Sequence, residues 1–266
     1  MNKLLSIVIV EYRSIDEIDT CVRNIEANMD VPYEVIVSSN SCYTEEEKKA
    51  INISNSNVRW IYNAENGGFA YAMNEGLKVA KGDYLVIMNS DCIINSGLSE
   101  MMSFMEAHPE VGALGPQMRD AEGNIQDTAR PYVTPYRFFK RQLIRVIGRK
   151  VSILNKNMDY SKVQTVDWVI GAFIMVSRSA YEKVGGLDHV SFFMYAEDID
   201  WCTRIHIEGF EVVYFPKVII TYKGTRRART TMKYAKIFIK SHLAYWRKYG
   251  FNYGYPKRKE IVFDEN

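Results

Sequence analysis

The sequence lacks the features that mark membrane-spanning, disulfide-linked and nucleic-acid-binding chains. No apolar run approaches the roughly 20 residues that a bilayer-spanning helix needs. The formal net charge is only +2 over 266 residues, so the overall charge does not indicate a nucleic-acid partner. The cysteines are scattered, with neither a CxxC pair nor a zinc-ligand spacing: Cys21, Cys42, Cys92 and Cys202. We therefore expect reduced thiols in a cytoplasmic protein.

The first residues also lack the pattern of a secretory signal. The apolar run Ile7–Val10 ends at Glu11, and no small-residue cleavage site follows it. The longer segment Leu4–Val10 is continuous and rich in β-branched residues, which is typical of a strand buried on both faces of a parallel sheet. This segment predicts the first strand of the fold.

Strand-like and helical segments then alternate. Apolar residues recur at helical spacing from Ile15 to Met29 behind Ser14, a candidate N-cap, and Thr44 with Glu47 has the spacing of a capping box. The further predicted strands are Glu34–Val37, Val58–Tyr62, Tyr84–Met88, Gly112–Met118 and Glu211–Phe215. This order predicts an open α/β sheet.

Polar residues follow the predicted strands where each one ends. They are Glu11, residues 38–40, residues 66–69, which include the Gly67–Gly68 pair, and residues 89–91. Open α/β sheets bind ligands at the carboxyl ends of their strands. The sequence therefore predicts one crevice at which these strand ends meet.

An acidic segment, Glu197-Asp198-Ile199-Asp200, lies between large apolar residues. On a helix, Glu197 and Asp200 share a face, while Asp198 points about 100° away. Like charges at this spacing repel unless a cation, a substrate or water offsets them. The alternative is a helix N-terminus, where acids complement the helix dipole.

Two stretches carry basic residues and no acid. Residues 135–156 include arginines four positions apart, Arg137, Arg141, Arg145 and Arg149, opposite the apolar Phe139, Leu143, Val146 and Ile147. Residues 223–248 are also basic, and from Thr231 they indicate a helix with Met232, Ala235, Ile239, Leu243 and Trp246 on one side. Such helices bind membrane surfaces or anionic ligands. The alternative is a solvated helix that covers the sheet.

Five segments together carry a family resemblance: residues 6–12 (SIVIVEY), 66–74 (NGGFAYAMN), 82–91 (GDYLVIMNSD), 167–172 (DWVIGA) and 193–200 (FMYAEDID). In this order they resemble the inverting family 2 glycosyltransferases, most closely the bacterial rhamnosyltransferase-like branch. The resemblance implies the GT-A fold, a Rossmann-like central sheet flanked by helices. The implied domain is residues 1–224, with a nucleotide-binding half (1–118) and an acceptor-binding half (119–224), followed by a basic helical extension (225–266).

The resemblance also implies residue roles. Asp198 would be the general base, and Asp91 would hold Mn²⁺ or Mg²⁺ on the donor diphosphate. The donor site would comprise Val10, Glu11, Tyr12, Ser39, Asn40, Asn66, Gly67, Gly68, Phe69, Asn74, Asn89, Ser90 and Lys223. The acceptor site would comprise Trp168, Gly171, Ala172, Glu197 and Asp200.

Several of these residues also have structural readings. Asp91 could be a turn residue, the glycine pair could only open a helix, and Trp168 could belong to the core. Asp200 and Arg204 are four apart, and pairing on one helix face is the reading that we prefer for Arg204.

The sequence departs from the family pattern at three positions. Asn89-Ser90-Asp91 stands where this branch often has Asn-Pro-Asp, and Ser39 replaces an aspartate that accepts a hydrogen bond from the base. Tyr222 and Lys223 stand where the family has a histidine. Lys223 could neutralise diphosphate directly, so these changes leave the donor and the metal dependence open.

The expected activity is that of a hexosyltransferase-type enzyme that builds a bacterial surface polysaccharide such as O-antigen or capsule. The donor would be dTDP-rhamnose or a related dTDP- or UDP-sugar, and the acceptor a lipid-linked glycan. The basic helices would attach the protein peripherally to the inner face of the plasma membrane, each Lys or Arg adding about 1 kcal/mol near anionic lipid.

Two rival functions stay open. A nucleotidyltransferase would have a Gly-rich basic loop after the first strand, and residues 11–14 (EYRS) match that poorly. A binding or scaffold protein without activity would retain a costly pair of buried carboxylates for no purpose. Trp60, Phe104, Phe192 and Phe193 belong either to the core or to the surface of a homodimer.

Overall fold

A computed structural model describes residues 3–51, 58–146, 158–224 and 232–251, together with residues 256, 259, 261 and 263. Within these ranges the strands are β1 (Leu5–Glu11), β2 (Tyr33–Ser39), β3 (Val58–Tyr62), β4 (Tyr84–Met88), β5 (Cys92–Ile94), β6 (Val111–Arg119), β7 (Ala129–Arg130), β8 (Gln164–Thr165), β9 (Trp168–Val169), β10 (Phe173–Ser177) and β11 (Glu211–Tyr222). The helices are α1 (Ile15–Asn28), α2 (Glu45–Ala50), α3 (Phe69–Val79), α4 (Ser99–Ala107), α5 (Pro135–Val146), α6 (Arg178–Val184), α7 (Glu197–Ile207) and α8 (Met232–Tyr249).

The main sheet has the strand order β3-β2-β1-β4-β10-β6-β11-β5, with β8 paired to β11. The first four of these strands are mutually parallel, and Val8 of β1 lies opposite Ile36 of β2 and Ile87 of β4. Because β10 runs antiparallel to β4 and β6, the sheet is mixed although mostly parallel. The predicted α/β fold is confirmed.

Both faces of the sheet are covered, which explains the continuous apolar run of β1. Ile7 and Ile9 pack into one buried cluster with Ile18 and Val22 of α1, while Val8 packs into the opposite cluster with residues of α3. A strand of alternating polarity would place polar groups against one of these helical layers. The apolar run Leu4–Val10 is therefore the pattern of a central strand that helices cover on both faces.

The longest strand, β11, extends beyond its predicted end. It continues through Pro216, with an irregularity in its pairing to β6 between Phe215 and Ile219. Proline lacks the N–H that a regular ladder needs, so the strand passes it by breaking register. This extension pairs Tyr222 with Cys92 and carries Tyr222 to the side of Asp91.

The last described helix, α8, packs against the rest of the fold. Tyr245 and Trp246 are buried in the same cluster as Trp201 of α7, and the Tyr245 hydroxyl lies 2.9 Å from the Thr203 hydroxyl. The domain boundary predicted after residue 224 thus lies between α7 and α8, whose buried residues belong to the same hydrophobic core. Residues 147–156 and 225–231 of the two predicted basic segments lie outside the described residues.

All three predicted helix starts are confirmed. Thr44 and Glu47 form the capping box of α2, and Gly68 is the N-cap of α3. Ser14 is the N-cap of α1 as predicted, although its side chain makes no capping hydrogen bond. Its backbone N–H instead donates to the Glu11 carboxylate at 2.8 Å.

The four aromatic residues predicted to lie either in the core or on a dimer surface fall into both places. Phe192 is fully buried, Phe104 packs at the edge of the core, and Trp60 stacks on Tyr62 at 5.6 Å between ring centroids. Phe193 is 42% exposed. In the ranges that the structure describes, no helix has both the length and the apolar character needed to cross a bilayer.

Candidate active site

The strand ends and the start of α7 surround one cleft of about 1910 Å³. The predicted site residues that line it are Val10, Tyr12, Asn40, Asn66, Gly68, Phe69, Asn89, Ser90, Asp91, Trp168, Gly171, Ala172, Glu197 and Asp198. The expected convergence of strand ends is therefore present. The predicted residues outside this lining are Glu11, Ser39, Gly67, Asn74, Asp200 and Lys223.

Glu11 lies beneath the cleft and holds its floor in place. Its carboxylate is fully buried and accepts hydrogen bonds from the hydroxyls of Ser39, Ser41 and Tyr43. Side chains alternate along a strand, so Val10 faces the cleft while Glu11 points to the other side. Ser39 and Glu11 thus form one structural network that joins the ends of β1 and β2.

Asn74 also has a structural position. Its amide nitrogen donates to the Leu187 carbonyl at 2.7 Å, and its amide oxygen accepts from the Leu187 N–H at 2.8 Å. These paired bonds fix α3 to the loop that leads toward the acidic segment. The side chain is buried and points away from the cleft lining.

Asp200 is fully buried and joins α7 to α8. It accepts from Arg204 Nε at 2.8 Å, which confirms the pairing expected from their spacing. It also accepts from the Tyr249 hydroxyl at 2.8 Å and lies 2.7 Å from Lys248 Nζ. The third acid of the motif is therefore neutralised by structural partners.

The glycine turn meets the acidic segment directly. Gly68 has φ +93°, and a Cβ there would lie 2.2 Å from the Phe193 carbonyl oxygen. The N–H of Phe69 donates to that same carbonyl at 2.9 Å. Glycine is required here because any side chain would separate the donor-side helix from the loop that carries the acids.

The backbone just before the acids is strained. Tyr195 and Ala196 have φ of 70° and 65°, a region that non-glycine residues rarely adopt. Helix α8 braces this turn, because Ser241 donates to the Met194 carbonyl at 2.7 Å and Phe238 packs edge-on against Tyr195. The strained turn directs the first two residues of α7 into the cleft.

Asp198 is held by two backbone donors. Its Oδ2 accepts from the Gly171 N–H and its Oδ1 from the Ile199 N–H, each at 2.9 Å. Burial raises the pKa of Asp198, while these bonds and the charge of Arg130 act in the opposite direction. The carboxylate is oriented, only partly buried and accessible from the cleft.

Glu197 lies beside Asp198 in a different environment. Its side chain is buried, and Oε2 has no hydrogen-bond partner among the described residues. Burial, together with the charges of Asp198 and Asp200, raises the pKa of Glu197 well above its ordinary value. Two adjacent carboxyl groups of this kind hold one proton between them. Because Asp198 accepts two N–H bonds, which favour its ionised form, we assign that proton to Glu197 and the negative charge to Asp198.

Arg130 is a cleft residue that was not predicted from the sequence. This residue lines the cleft, lies over the Trp168 ring at 5.2 Å and donates to Asp127 at 3.0 Å. Trp168 itself is 4% exposed and donates its indole N–H to the Pro131 carbonyl, so it is a core residue with one side on the cleft. No motif marks Arg130, because its contacts come from the β7–β9 pairing.

Asn89, Asp91 and Tyr222 also line the cleft. Burial and the nearby charge of Asp91 raise the pKa of Tyr222, so its phenol stays neutral. Among the described residues, no group of three or more His, Cys, Asp or Glu side chains could hold a metal ion. Asp91 lines this part of the cleft, and the Glu17 carboxylate lies there too, 3.2 Å from the Ser90 hydroxyl.

The structure thus has a mixed α/β sheet with a cleft at its strand ends that Asp91 and Asp198 both line, which is the arrangement expected of a nucleotide-sugar glycosyltransferase. The chain belongs to glycosyl transferase family 2, whose family model matches residues 6–185. The expected family is confirmed, and with it glycosyltransferase activity as the class of reaction.

Among curated proteins, the chain is similar to N-acetylglucosaminyl-diphospho-decaprenol L-rhamnosyltransferase of Mycobacterium tuberculosis. The two are 23% identical over 272 residues, which cover 93% of this chain and 88% of the relative. Rhamnosyltransferase WbbL of Escherichia coli K12 is 26% identical over 223 residues, which cover 80% of this chain and 81% of the relative.

Among solved structures, the chain is similar to GalNAc-T7 with UDP, GalNAc and Mn²⁺. The TM-score is 0.61 at 14% identity, and the match covers 83% of this chain and 44% of the other. This likeness supports the fold, and the predicted GT-A architecture is confirmed.

Proposed function

We propose that the protein is an inverting glycosyltransferase that uses Asp198 as its general base. The observation that carries this proposal is the position of Asp198, oriented by two N–H donors in the same cleft as Asp91 and the strand-end residues. A nucleotide sugar in that cleft would extend from Val10 and Asn40 at the strand ends toward α7.

The proposed reaction is a single displacement. Asp198 removes the proton from an acceptor hydroxyl while that oxygen forms a bond to the anomeric carbon. The bond from this carbon to the diphosphate oxygen breaks, and nucleoside diphosphate leaves. A positioned base contributes about 10²–10⁴-fold to such a reaction. Neutral Glu197 can donate a hydrogen bond to a hydroxyl of the sugar or the acceptor.

The chain supplies a suitable partial site for a divalent cation. Mg²⁺-like ions are often held by one or two carboxylates together with substrate phosphates, and Asp91 with a donor diphosphate fits this pattern. A bound ion would offset the charge that develops on the leaving diphosphate. Asn89 and neutral Tyr222 can orient the same phosphates by hydrogen bonding.

For donor and acceptor, we propose dTDP-rhamnose and a hydroxyl of a lipid-linked glycan in bacterial surface-polysaccharide synthesis. The similarity to two rhamnosyltransferases supports the sugar. The name of the mycobacterial relative includes a diphospho-decaprenol acceptor, which supports the lipid-linked class. We also propose that the protein works at the inner face of the plasma membrane.

A thermal-shift panel tests this proposal. Nucleotide sugars are added singly with Mn²⁺, with Mg²⁺ or with EDTA, and Asp91→Asn serves as the matched variant. A ligand at 100 times its Kd adds about 2.7 kcal/mol to the free energy of unfolding. We expect dTDP-rhamnose with metal to raise the melting temperature by several degrees, and Asp91→Asn to lose that dependence.

Other results would redirect the proposal. Equal stabilisation in EDTA would favour direct neutralisation of the diphosphate by Lys223, and stabilisation by another nucleotide sugar would replace the donor. Binding of a nucleotide sugar without transfer to any lipid-linked acceptor would support the scaffold reading.

A further inference from the structure

Helices α5 and α8 turn large apolar side chains toward solvent. We define the apolar ridge as Tyr136, Phe139 and Leu143 of α5 with Met232, Ile239 and Leu243 of α8. Phe139 is 64% exposed, Leu143 61%, Met232 76% and Ile239 51%. Isolated exposed apolar residues are ordinary, but a cluster of this kind marks an interaction surface.

The two helices form one packed unit beneath the ridge. Phe138 stacks on Phe238 at 5.6 Å between ring centroids and meets His242 at 4.8 Å and Trp246 at 5.3 Å. The Trp246 indole N–H donates to the Val133 carbonyl at 2.6 Å. Because these inward-facing residues satisfy the packing, the ridge residues are left on the outer side.

The arginine stripe predicted on α5 points partly inward. Arg141 pairs with the buried Asp127 at 3.3 Å, and Arg137 donates to the Tyr132 carbonyl at 3.1 Å. Arg137 is nevertheless exposed, and exposed lysines lie beside the ridge: Lys140, Lys233, Lys236 and Lys240. Neither helix contains an aspartate or a glutamate. The outer face of α5 and α8 therefore combines exposed apolar side chains with charged side chains that are all positive.

The ridge also borders the catalytic cleft. Phe139, Ile239 and Leu243 line the same cleft as Asp198 and Glu197. A surface that docks on the ridge would therefore meet the mouth of the active site. Of the available partners, an anionic bilayer complements both the apolar side chains and the lysines.

We propose that the α5–α8 face docks on an anionic bilayer, with the apolar ridge inserted among the lipid head groups and the cleft mouth facing the membrane. This inference rests on the proposed function, because it explains how a lipid-linked acceptor reaches Asp198 without leaving the bilayer. Attachment by charge alone would not fix how the protein lies on the membrane. The docking proposal specifies both the orientation and the side chains that insert.

The test uses the full chain and sedimentation with phosphatidylcholine vesicles, with or without phosphatidylglycerol, at about 150 mM salt. The ridge variant is Leu143→Ser with Met232→Ser, two exposed positions outside the cleft lining. The matched control is Ile207→Ser with Val190→Ser, where the side chains are 55% and 88% exposed on other elements.

We expect wild type to bind the anionic vesicles and the ridge variant to bind at least about tenfold more weakly, because each large apolar side chain loses its transfer from water. The control variant should stay within about twofold of wild type. Lys236→Gln with Lys240→Gln should weaken binding to anionic vesicles and leave binding to neutral vesicles unchanged.

The proposal is overturned if wild type stays in the supernatant, or if the ridge and control variants bind alike. A ridge variant that changes only the oligomeric state in light scattering would instead identify a contact between copies of the chain. Donor-induced thermal shifts are recorded for every variant. If no donor shifts the melting temperature of wild type, the proposed function is wrong, whereas the vesicle-binding result is unaffected.

Discussion

Two buried glutamates, one in each half of the fold, have opposite environments. Glu11 at the end of β1 is fully buried and accepts hydrogen bonds from three hydroxyls and one backbone N–H. Glu197 at the start of α7 is also buried, but its Oε2 has no partner among the described residues. The first carboxylate is supplied with donors by its own chain, whereas the second is left facing the cleft.

This difference separates the support of the site from its chemistry. A saturated carboxylate contributes to stability, because replacing it leaves buried donors unpaired. An unsatisfied one costs stability and is retained where a ligand uses it. The side of the cleft that the Glu11 network supports is thus preorganised. The side at the start of α7 has strained backbone at Tyr195–Ala196, and Glu197 Oε2 has no partner among the described residues.

The largest expected effect is loss of turnover at Asp198. In Asp198→Asn the base is absent, so kcat should fall about 10²–10⁴-fold, which corresponds to roughly 3–5 kcal/mol. Donor binding should persist, because the strand-end residues are unchanged. The measurement is the rate of sugar transfer alongside a donor Kd from calorimetry.

The control for Asp198→Asn is Asp127→Asn, which changes another cleft-lining carboxylate outside the acidic segment. It should reduce kcat far less than Asp198→Asn does. A transfer rate within about threefold of wild type for Asp198→Asn would assign the base to another residue.

The second effect is on folding. In Glu11→Gln the charge-assisted hydrogen bonds to the serine hydroxyls, the tyrosine and the Ser14 N–H are weakened, which should cost about 2 kcal/mol. The melting temperature should fall by roughly 4–8 °C, at about 2–4 °C per kcal/mol for a chain of this size. An unchanged melting temperature would mean that Glu11 does not support the floor of the cleft.

The same comparison shows what the sequence could reveal. Apolar patterning located β1, β3 and β4, and the polar strand ends identified the side of the cleft that these strands form, because both depend on local periodicity. That Glu11 points away from the cleft follows from strand alternation, but its hydroxyl donors come from residues 39–43, which the β1–β2 pairing brings close. Arg130 and the brace of α8 on the acidic turn depend wholly on tertiary packing.

The third effect has the opposite sign to the second. Glu197 keeps its proton in the folded protein above the pKa of the unfolded chain, so the folded state binds more protons and wild type loses stability as the pH rises from about 5 to 7. Glu197→Gln cannot titrate. Its free energy of unfolding relative to wild type should therefore increase over this range, by up to about 1.4 kcal/mol per pH unit, which is measured as a growing difference in melting temperature.

Glu11→Gln is the matched control for this pH series. The same substitution at a carboxylate saturated with donors should lower the melting temperature at every pH in the range. If Glu197→Gln instead became relatively less stable with rising pH, the proton would not reside on Glu197.

The smallest expected effect sharpens the assignment of the proton. The base must be ionised, and burial raises the pKa of Asp198, so kcat/KM should fall on the acid side at a pH above the ordinary aspartate value of about 3.9. If Glu197 is already neutral there, Glu197→Gln removes no charge, and the midpoint of this acid limb should move by less than about 0.3 units. A large downward shift would instead mean that Glu197 carries the charge and raises the pKa of Asp198 by repulsion. The pH–rate profiles of wild type, Glu197→Gln and Glu11→Gln distinguish these outcomes, because the change at Glu11 leaves the charge near Asp198 intact.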